Sequence, residues 1–324
     1  MREELTEEYI RSVWATLPQH VRPTTFHSTF LLNQALDTDV TLASETLQIT
    51  GSFKFRAAYN LLVEIPQEEV ITTSSGNFGQ AVAYACMLLK KRCTVIMPLS
   101  SSRTKQAAIR AYGGQVELID VAITSRMQAI QERLAEHPDA FYAPPYDHYR
   151  VVAGNSTLGK EIFEKLHSGD NRLDYVVCPI GGGGLISGII TARDLLAPDV
   201  EIIGAEPLLG NDAARSLREG RLVSLDAEPQ TLADGTRTLC VGNLNWEIIR
   251  DGIRRVIEVP EDKIAQGVRT LYAAANLKSE PTGALSTGAA LTQPDLFKGK
   301  RICCVVSGGN VDVGTYVRVL EEAG

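Results

Sequence analysis

The chain has 324 residues and a formal charge of −7, with Lys+Arg 32 against Asp+Glu 39. That balance leaves no basic surplus to track a nucleic-acid backbone, and no apolar run approaches the ~18 residues of a membrane span. A composition 44% hydrophobic and 22% charged excludes a disordered or fibrous chain, and the length suits two compact lobes or one large α/β unit.

The opening MREELTEEYIR is charged and helical, unlike a signal peptide. Further on, continuous apolar runs predict buried strands at 94–97 (TVIM), 115–119 (QVELI), 175–180 (YVVCPI), 201–205 (EIIGA) and 301–306 (RICCVV). Between them, helical periodicity predicts helices over 79–90, 104–112, 125–136, 184–196 and 263–275. Strand–helix–strand repetition indicates a doubly wound α/β architecture with mostly parallel sheets. The proline-broken stretch 137–150 (HPDAFYAPPYDHYR) reads as a linker, and a second boundary is placed near Pro66. The six cysteines are scattered without a CxxC pair, which points to buried free thiols in a reducing compartment and hence a cytoplasmic protein.

Four segments carry chemistry. In Thr50–Arg56 (TGSFKFR), Lys54 stands between two phenylalanines; flanking rings would desolvate the ammonium, lower its pKa and make a nucleophilic amine. The same pattern also suits a helix-start lysine whose head stays in water. In Ser74–Gln80 (SSGNFGQ), small residues at a helix start leave backbone N–H groups free for an anion, although a plain cap by Ser75 or Asn77 fits as well. Gly181–Gly184 follow one strand and open a helix. Four consecutive glycines suit a phosphate nest, and no GxGxxG register exists, so a monophosphate is favoured over a dinucleotide. Ser307-Gly308-Gly309-Asn310 lies at another strand end, where open sheets bind ligands and where a simple turn is the alternative.

Two motifs are rejected. The run 154–160 (GNSTLGK) imitates a P-loop, but Glu161 replaces the Mg2+-binding hydroxyl and no strand precedes it. Ser102 and Lys105 form SxxK without the KTG or SDN partners that such sites require.

Taken in order, GSFKFRAA, SSGNFGQA, the YGG of Tyr112–Gly114, AGNSTLGKEI, GGGGL, ADGTRT, EPTGA and SGGN resemble fold-type II pyridoxal-phosphate enzymes of the serine/threonine dehydratase and serine racemase group, over almost the whole chain. The resemblance implies a two-lobed α/β fold in which each lobe is an open twisted sheet flanked by helices. Residues 1–65 and 147–324 would form the large cofactor-binding domain, and 66–146 a small mobile one. It implies pyridoxal 5'-phosphate as cofactor, a small amino-acid substrate and a homodimer. Lys54 would be the Schiff-base lysine and an acid/base at the substrate Cα, and Phe53 would pack on the cofactor ring. Asn77 would bond the ring hydroxyl, and Ser74, Ser75, Gly76 and Asn77 would hold the substrate carboxylate. Gly181, Gly182, Gly183, Gly184 and Leu185 would cradle the phosphate, and Ser307 would face the pyridine nitrogen. Glu206, the Gly210 carbonyl and Asp212 fall where eukaryote-type members bind Mg2+ or Ca2+, a suitable hard-oxygen set unless both carboxylates are solvated or cap the next helix.

The activity so implied is β-elimination from a β-hydroxy amino acid such as L-threonine or L-serine, giving a 2-oxo acid and ammonia. Racemisation or dehydration of serine or hydroxyaspartate, β-replacement, and binding without catalysis are the alternatives. Two departures from the family's pattern stand out: 154–157 read GNST in place of GQGT, and Phe78 replaces the histidine usual after the asparagine, which would signal a bulkier or less polar side-chain pocket and hence another β-hydroxy amino acid as substrate. Ser75, where racemase-like members carry a serine acid/base, makes two-base chemistry opposite Lys54 conceivable. Only a short helix follows Asn310, so a C-terminal regulatory domain and inhibition by isoleucine are not expected.

Overall fold

The computed structural model describes residues 2–74, 76–169 and 172–321. Its strands are β1 (Thr25–His27), β2 (Asp39–Ser44), β3 (Glu69–Thr73), β4 (Arg92–Pro98), β5 (Gln115–Ile119), β6 (Phe141–Tyr142), β7 (Tyr175–Pro179), β8 (Glu201–Pro207), β9 (Arg255–Val259) and β10 (Arg301–Val306). Two sheets result: six strands in the order β1-β2-β10-β7-β8-β9 and four in the order β5-β4-β3-β6. All neighbours are parallel except the edge pair β1–β2. The apolar runs are continuous because helices cover both faces, and β10 at the centre pairs Cys304 with Leu42 on one side and Val177 on the other.

Helix starts follow local capping chemistry. Thr29, Ser102 and Ser125 each accept a backbone N–H three residues on, opening the helices Phe30–Leu36, Arg103–Ala111 and Arg126–Glu136. The helix Asn77–Leu89 ends one residue before the predicted boundary because Lys90 turns left-handed, with φ 57°. The next residue, Lys91, donates its backbone N–H to the Cys86 carbonyl of that helix and its ammonium to the carbonyls of Ile65 and Gln67. The stretch 137–150 is more than a linker: β6 joins the edge of the small sheet, and His148 caps the helix Tyr149–Leu166. That helix buries residues 154–159 of the P-loop-like run and leaves Lys160 half-buried.

One hydrophobic cluster runs through both sheets, joining Val70, Val95 and Phe78 to Val176, Leu185 and Ile202. Within it Arg56 is fully buried, bonded to Glu45 at 2.8 and 3.0 Å, Glu161 at 2.7 Å and Thr157 at 3.0 Å. The helix Lys54–Leu62, which carries Arg56, is thereby pinned to the helix 149–166 and to the end of β2. No helix among the described residues is long and apolar enough to cross a membrane.

Candidate active site

The carboxyl ends of the strands converge on one cleft. β2 leads into the Lys54 loop, β3 into Ser74, β7 into the glycine loop and β10 into Ser307. In open parallel sheets this is where ligands bind. The cleft is lined by Phe53, Lys54, Ser74, Gly76, Asn77, Gly181, Gly182, Gly183, Gly184, Leu185 and Ser307. Sequence positions far apart are thus brought together at one site. Ser75 lies outside the described residues.

The loop before Lys54 is fastened to the loop after β10. The Phe53 N–H donates to the Ser307 carbonyl at 3.0 Å, and the Gly309 N–H to the Gly51 carbonyl at 2.9 Å. Asn310 Nδ2 donates to the Thr50 carbonyl at 2.7 Å. Thr50 and Gly51 both take positive φ, 64° and 75°, and a Cβ on Gly51 would fall 2.3 Å from Asn310 Oδ1. This turn admits only glycine at 51, and it delivers Lys54 as the first residue of its helix.

The Lys54 ammonium lies 5.2 Å from the Phe53 ring centre and 5.4 Å from that of Phe78, and it donates to the Pro145 carbonyl at 3.0 Å. Burial lowers its pKa to about 8, in the expected direction. The second ring is not the one sequence adjacency suggested. Phe55 points into the core against Tyr59 and Tyr84, and Phe78, from the start of another helix, takes that place.

Asn77 is held on both sides. Its Nδ2 donates to Glu280 Oε1 at 2.6 Å, and its Oδ1 accepts from Asn310 at 2.9 Å. Burial raises the Glu280 pKa to about 7, although Lys105 pulls it down. Lys105 donates to Asp234 Oδ2 at 2.7 Å; burial disfavours its charge, but Asp234 and Glu280 outweigh that and hold its pKa above the usual lysine value. The rejected SxxK motif therefore still sends its lysine into the cleft, within 3.1 Å of where a Cβ on Gly76 would stand. Lys105, Asp234, Glu280, Arg126 and Tyr146 also line the cleft, and no site role was expected of them, although Lys105 stands in the rejected SxxK, Asp234 in ADGTRT and Glu280 in EPTGA.

The glycine loop is tightly enclosed. Added Cβ atoms would meet the Tyr146 ring at 2.2 Å from Gly182 and Asn245 Cβ at 2.8 Å from Gly183, whose φ is 89°. Such a left-handed residue turns successive N–H groups toward one concavity, a shape that suits a phosphate.

Glu206, Gly210 and Asp212 do not line this cleft. Glu206 accepts the N–H groups of Ala213 at 3.1 Å and Ala214 at 2.6 Å, capping the helix Asp212–Glu219, and Asp212 accepts that of Val241 at 2.9 Å. Among the described residues no three acidic, histidine or cysteine side chains are arranged to hold a metal. Both carboxylates are nonetheless buried, and desolvation with mutual repulsion pushes Glu206 well above the usual range, while desolvation takes Asp212 to about 7.

Residues 17–308 match the family model described as pyridoxal-phosphate dependent enzyme. The chain is 36% identical to serine racemase of Schizosaccharomyces pombe over 90% of each protein. It is 37% identical to an L-threo-3-hydroxyaspartate ammonia-lyase of Pseudomonas sp, covering 87% of this chain and 88% of that one. The solved structure of maize serine racemase superposes with a TM-score of 0.88 at 30% identity, covering 96% of this chain and 95% of that one. With ammonia-lyases and racemases as its relatives, the protein is an enzyme of the lyase type. A lysine between two rings, a four-glycine loop and a strand-end serine stand in one cleft, and the chain belongs to the pyridoxal-phosphate-dependent enzyme family.

Proposed function

We propose that the protein eliminates water from a β-hydroxy amino acid such as L-threonine or L-serine, releasing a 2-oxo acid and ammonia with pyridoxal phosphate as cofactor. The observation that carries this reading is the Lys54 amine held between the Phe53 and Phe78 rings, in the same cleft as the glycine loop and Ser307. Lys54, Asn77, the loop 181–185 and Ser307 would hold the cofactor. Four small residues leave room and backbone donors for the phosphate, and the fixed Asn77 amide offers its second N–H to a ring oxygen. When bound, pyridoxal phosphate supplies the carbonyl that the lysine captures and an electron sink that acidifies the substrate Cα–H.

The protein's own groups do the rest. With its pKa lowered to about 8, Lys54 is neutral in about a tenth of molecules at pH 7, far more than an ordinary lysine, and can take the Cα proton at Nζ. Ser74, whose Oγ accepts the Gly76 N–H at 3.2 Å, and the amino end of the helix 77–89 hold the substrate carboxylate, favoured by the helix dipole. Ser307 would offer the pyridine nitrogen a hydroxyl that does not ionise at neutral pH, so the bound cofactor would be a weaker electron sink than beside a carboxylate, which suits loss of a β-hydroxyl. The lobe 66–146 is proposed to move against the remainder during turnover. A steady-state screen of hydroxy-amino acids, scoring ammonia and 2-oxo acid together, tests the reading. Protein that lacks a visible absorbance band bleached by borohydride would refute it.

A second reading is racemisation or hydroxyaspartate chemistry, supported by the likeness to the fission-yeast racemase and by Ser75 in the sequence. Ser75→Ala, assayed with both enantiomers, decides between them; no D-substrate turnover by the unmutated protein removes the racemase reading. A homodimer is supported by exposed apolar side chains on the packed helices 30–36, 261–275 and 313–321, among them Phe30, Tyr272 and Val313. A cytoplasmic setting is supported by free cysteines, five of them buried. Mg2+ or Ca2+ at Glu206, Gly210 and Asp212 is supported by two buried carboxylates without an ion-pair partner among the described residues.

A further inference from the structure

The glycine loop is gripped from behind by two buried asparagines. Asn245 Nδ2 donates to the Gly182 carbonyl at 2.7 Å and to the Tyr146 carbonyl at 3.1 Å, and the Gly242 N–H reaches the same Gly182 oxygen at 3.1 Å. Asn155 Nδ2 donates to the Gly184 carbonyl at 2.9 Å. Both side chains are buried, 0% exposed for Asn245 and 1% for Asn155. Each leaves its amide oxygen buried with no hydrogen-bond donor among the described residues. An orphaned buried oxygen is a cost that a purely structural asparagine would not carry, since an apolar residue of similar size would avoid it.

The geometry explains what that cost brings. The loop's peptides are trans, so each C=O points away from the N–H of the next residue. Holding the Gly182 oxygen against Asn245 turns the Gly183 N–H to the opposite side, and holding the Gly184 oxygen against Asn155 does the same for the Leu185 N–H. The residues so turned line the cleft. The clamps also keep two carbonyl dipoles from facing an anion. Asn155 fits closely against Gly188, where an added Cβ would fall 2.7 Å from Asn155 Cβ.

We propose that Asn155 and Asn245 are positioning residues that orient the loop 181–185 and set its affinity for a phosphate monoester. This rests on the loop's being the phosphate cradle. Apoprotein is titrated with pyridoxal phosphate and, separately, with pyridoxal, which has the same ring and no phosphate. In Asn155→Ala and in Asn245→Ala, the Kd for pyridoxal phosphate rises about tenfold, the worth of one hydrogen bond, while that for pyridoxal stays within about twofold. A merely structural role would move both constants together. An unchanged ratio of the two constants in both variants overturns the proposal. If an alanine variant does not fold, the isosteric Asn→Asp variant, which removes the donor, is judged by the same ratio. A wild-type protein with no preference for the phosphorylated compound refutes the cradle reading itself, whereas a preference that survives both substitutions refutes only the role of the asparagines.

Discussion

Asn77 and Glu280 meet across the cleft, the amide nitrogen 2.6 Å from Glu280 Oε1. One residue begins the helix that follows β3, and the other belongs to the segment packed against the loop after β10, where the Glu280 N–H donates to the Gly308 carbonyl. With Asn310 on its other side, the Asn77 amide has one orientation. Glu280→Ala removes the acceptor and frees that amide to rotate, and the apoprotein's affinity for pyridoxal phosphate should fall about tenfold. Glu280→Gln keeps an acceptor, and its affinity should stay within about threefold of wild type. Equal losses in the two variants would mean that the charge, not the hydrogen bond, matters.

Lys54 should reveal its lowered pKa during reconstitution. Only the neutral amine captures a carbonyl, so the rate of cofactor uptake should rise with pH through a midpoint near 8, not near 10.5. Phe78→Ala opens one side of the amine to water and should move that midpoint upward by about one unit. The same shift has a stability consequence. The folded pKa lies below the unfolded one, so the unfolded chain holds the extra proton between about 8 and 10.5, and the Lys54 contribution to apoprotein stability rises with pH across that window. Stopped-flow absorbance at a series of pH values checks the first two statements, and urea titrations check the third.

Arg56 offers a test of the scaffold without touching the cleft. Its guanidinium is fully buried between Glu45 and Glu161, so Arg56→Met strands at least one buried carboxylate. Unfolding in urea should become easier by about 3–5 kcal/mol. A loss under about 1 kcal/mol would show that the network contributes little beyond packing.

The acidic pair Glu206 and Asp212 gives a metal-removal prediction. If a divalent cation joins them, chelation lowers the Tm and added Mg2+ or Ca2+ restores it, with Glu206→Gln abolishing both responses. A Tm indifferent to chelator and to either ion would leave Glu206 as a helix cap alone.

The architecture and several of the residues that line the cleft were legible in the sequence. Runs such as YVVCPI and RICCVV are legible because strands buried on both faces need no polar alternation, and Gly181–Gly184 stand out because a core has no use for four glycines. Lys54 was legible from its aromatic neighbours, yet tertiary structure exchanged one of them, sending Phe55 into the core and bringing Phe78 over the amine. Lys105, Asp234, Glu280 and the clamps Asn155 and Asn245 were decided only by tertiary structure. Each is a polar residue whose own segment does not announce its partner, and Asn155 even sits in a run that imitates a P-loop and was rejected as one. Periodicity reports which face of an element is buried. It carries no signal for which distant carbonyl or carboxylate a buried polar side chain will meet, because that pairing depends on how the two sheets come to share one cleft.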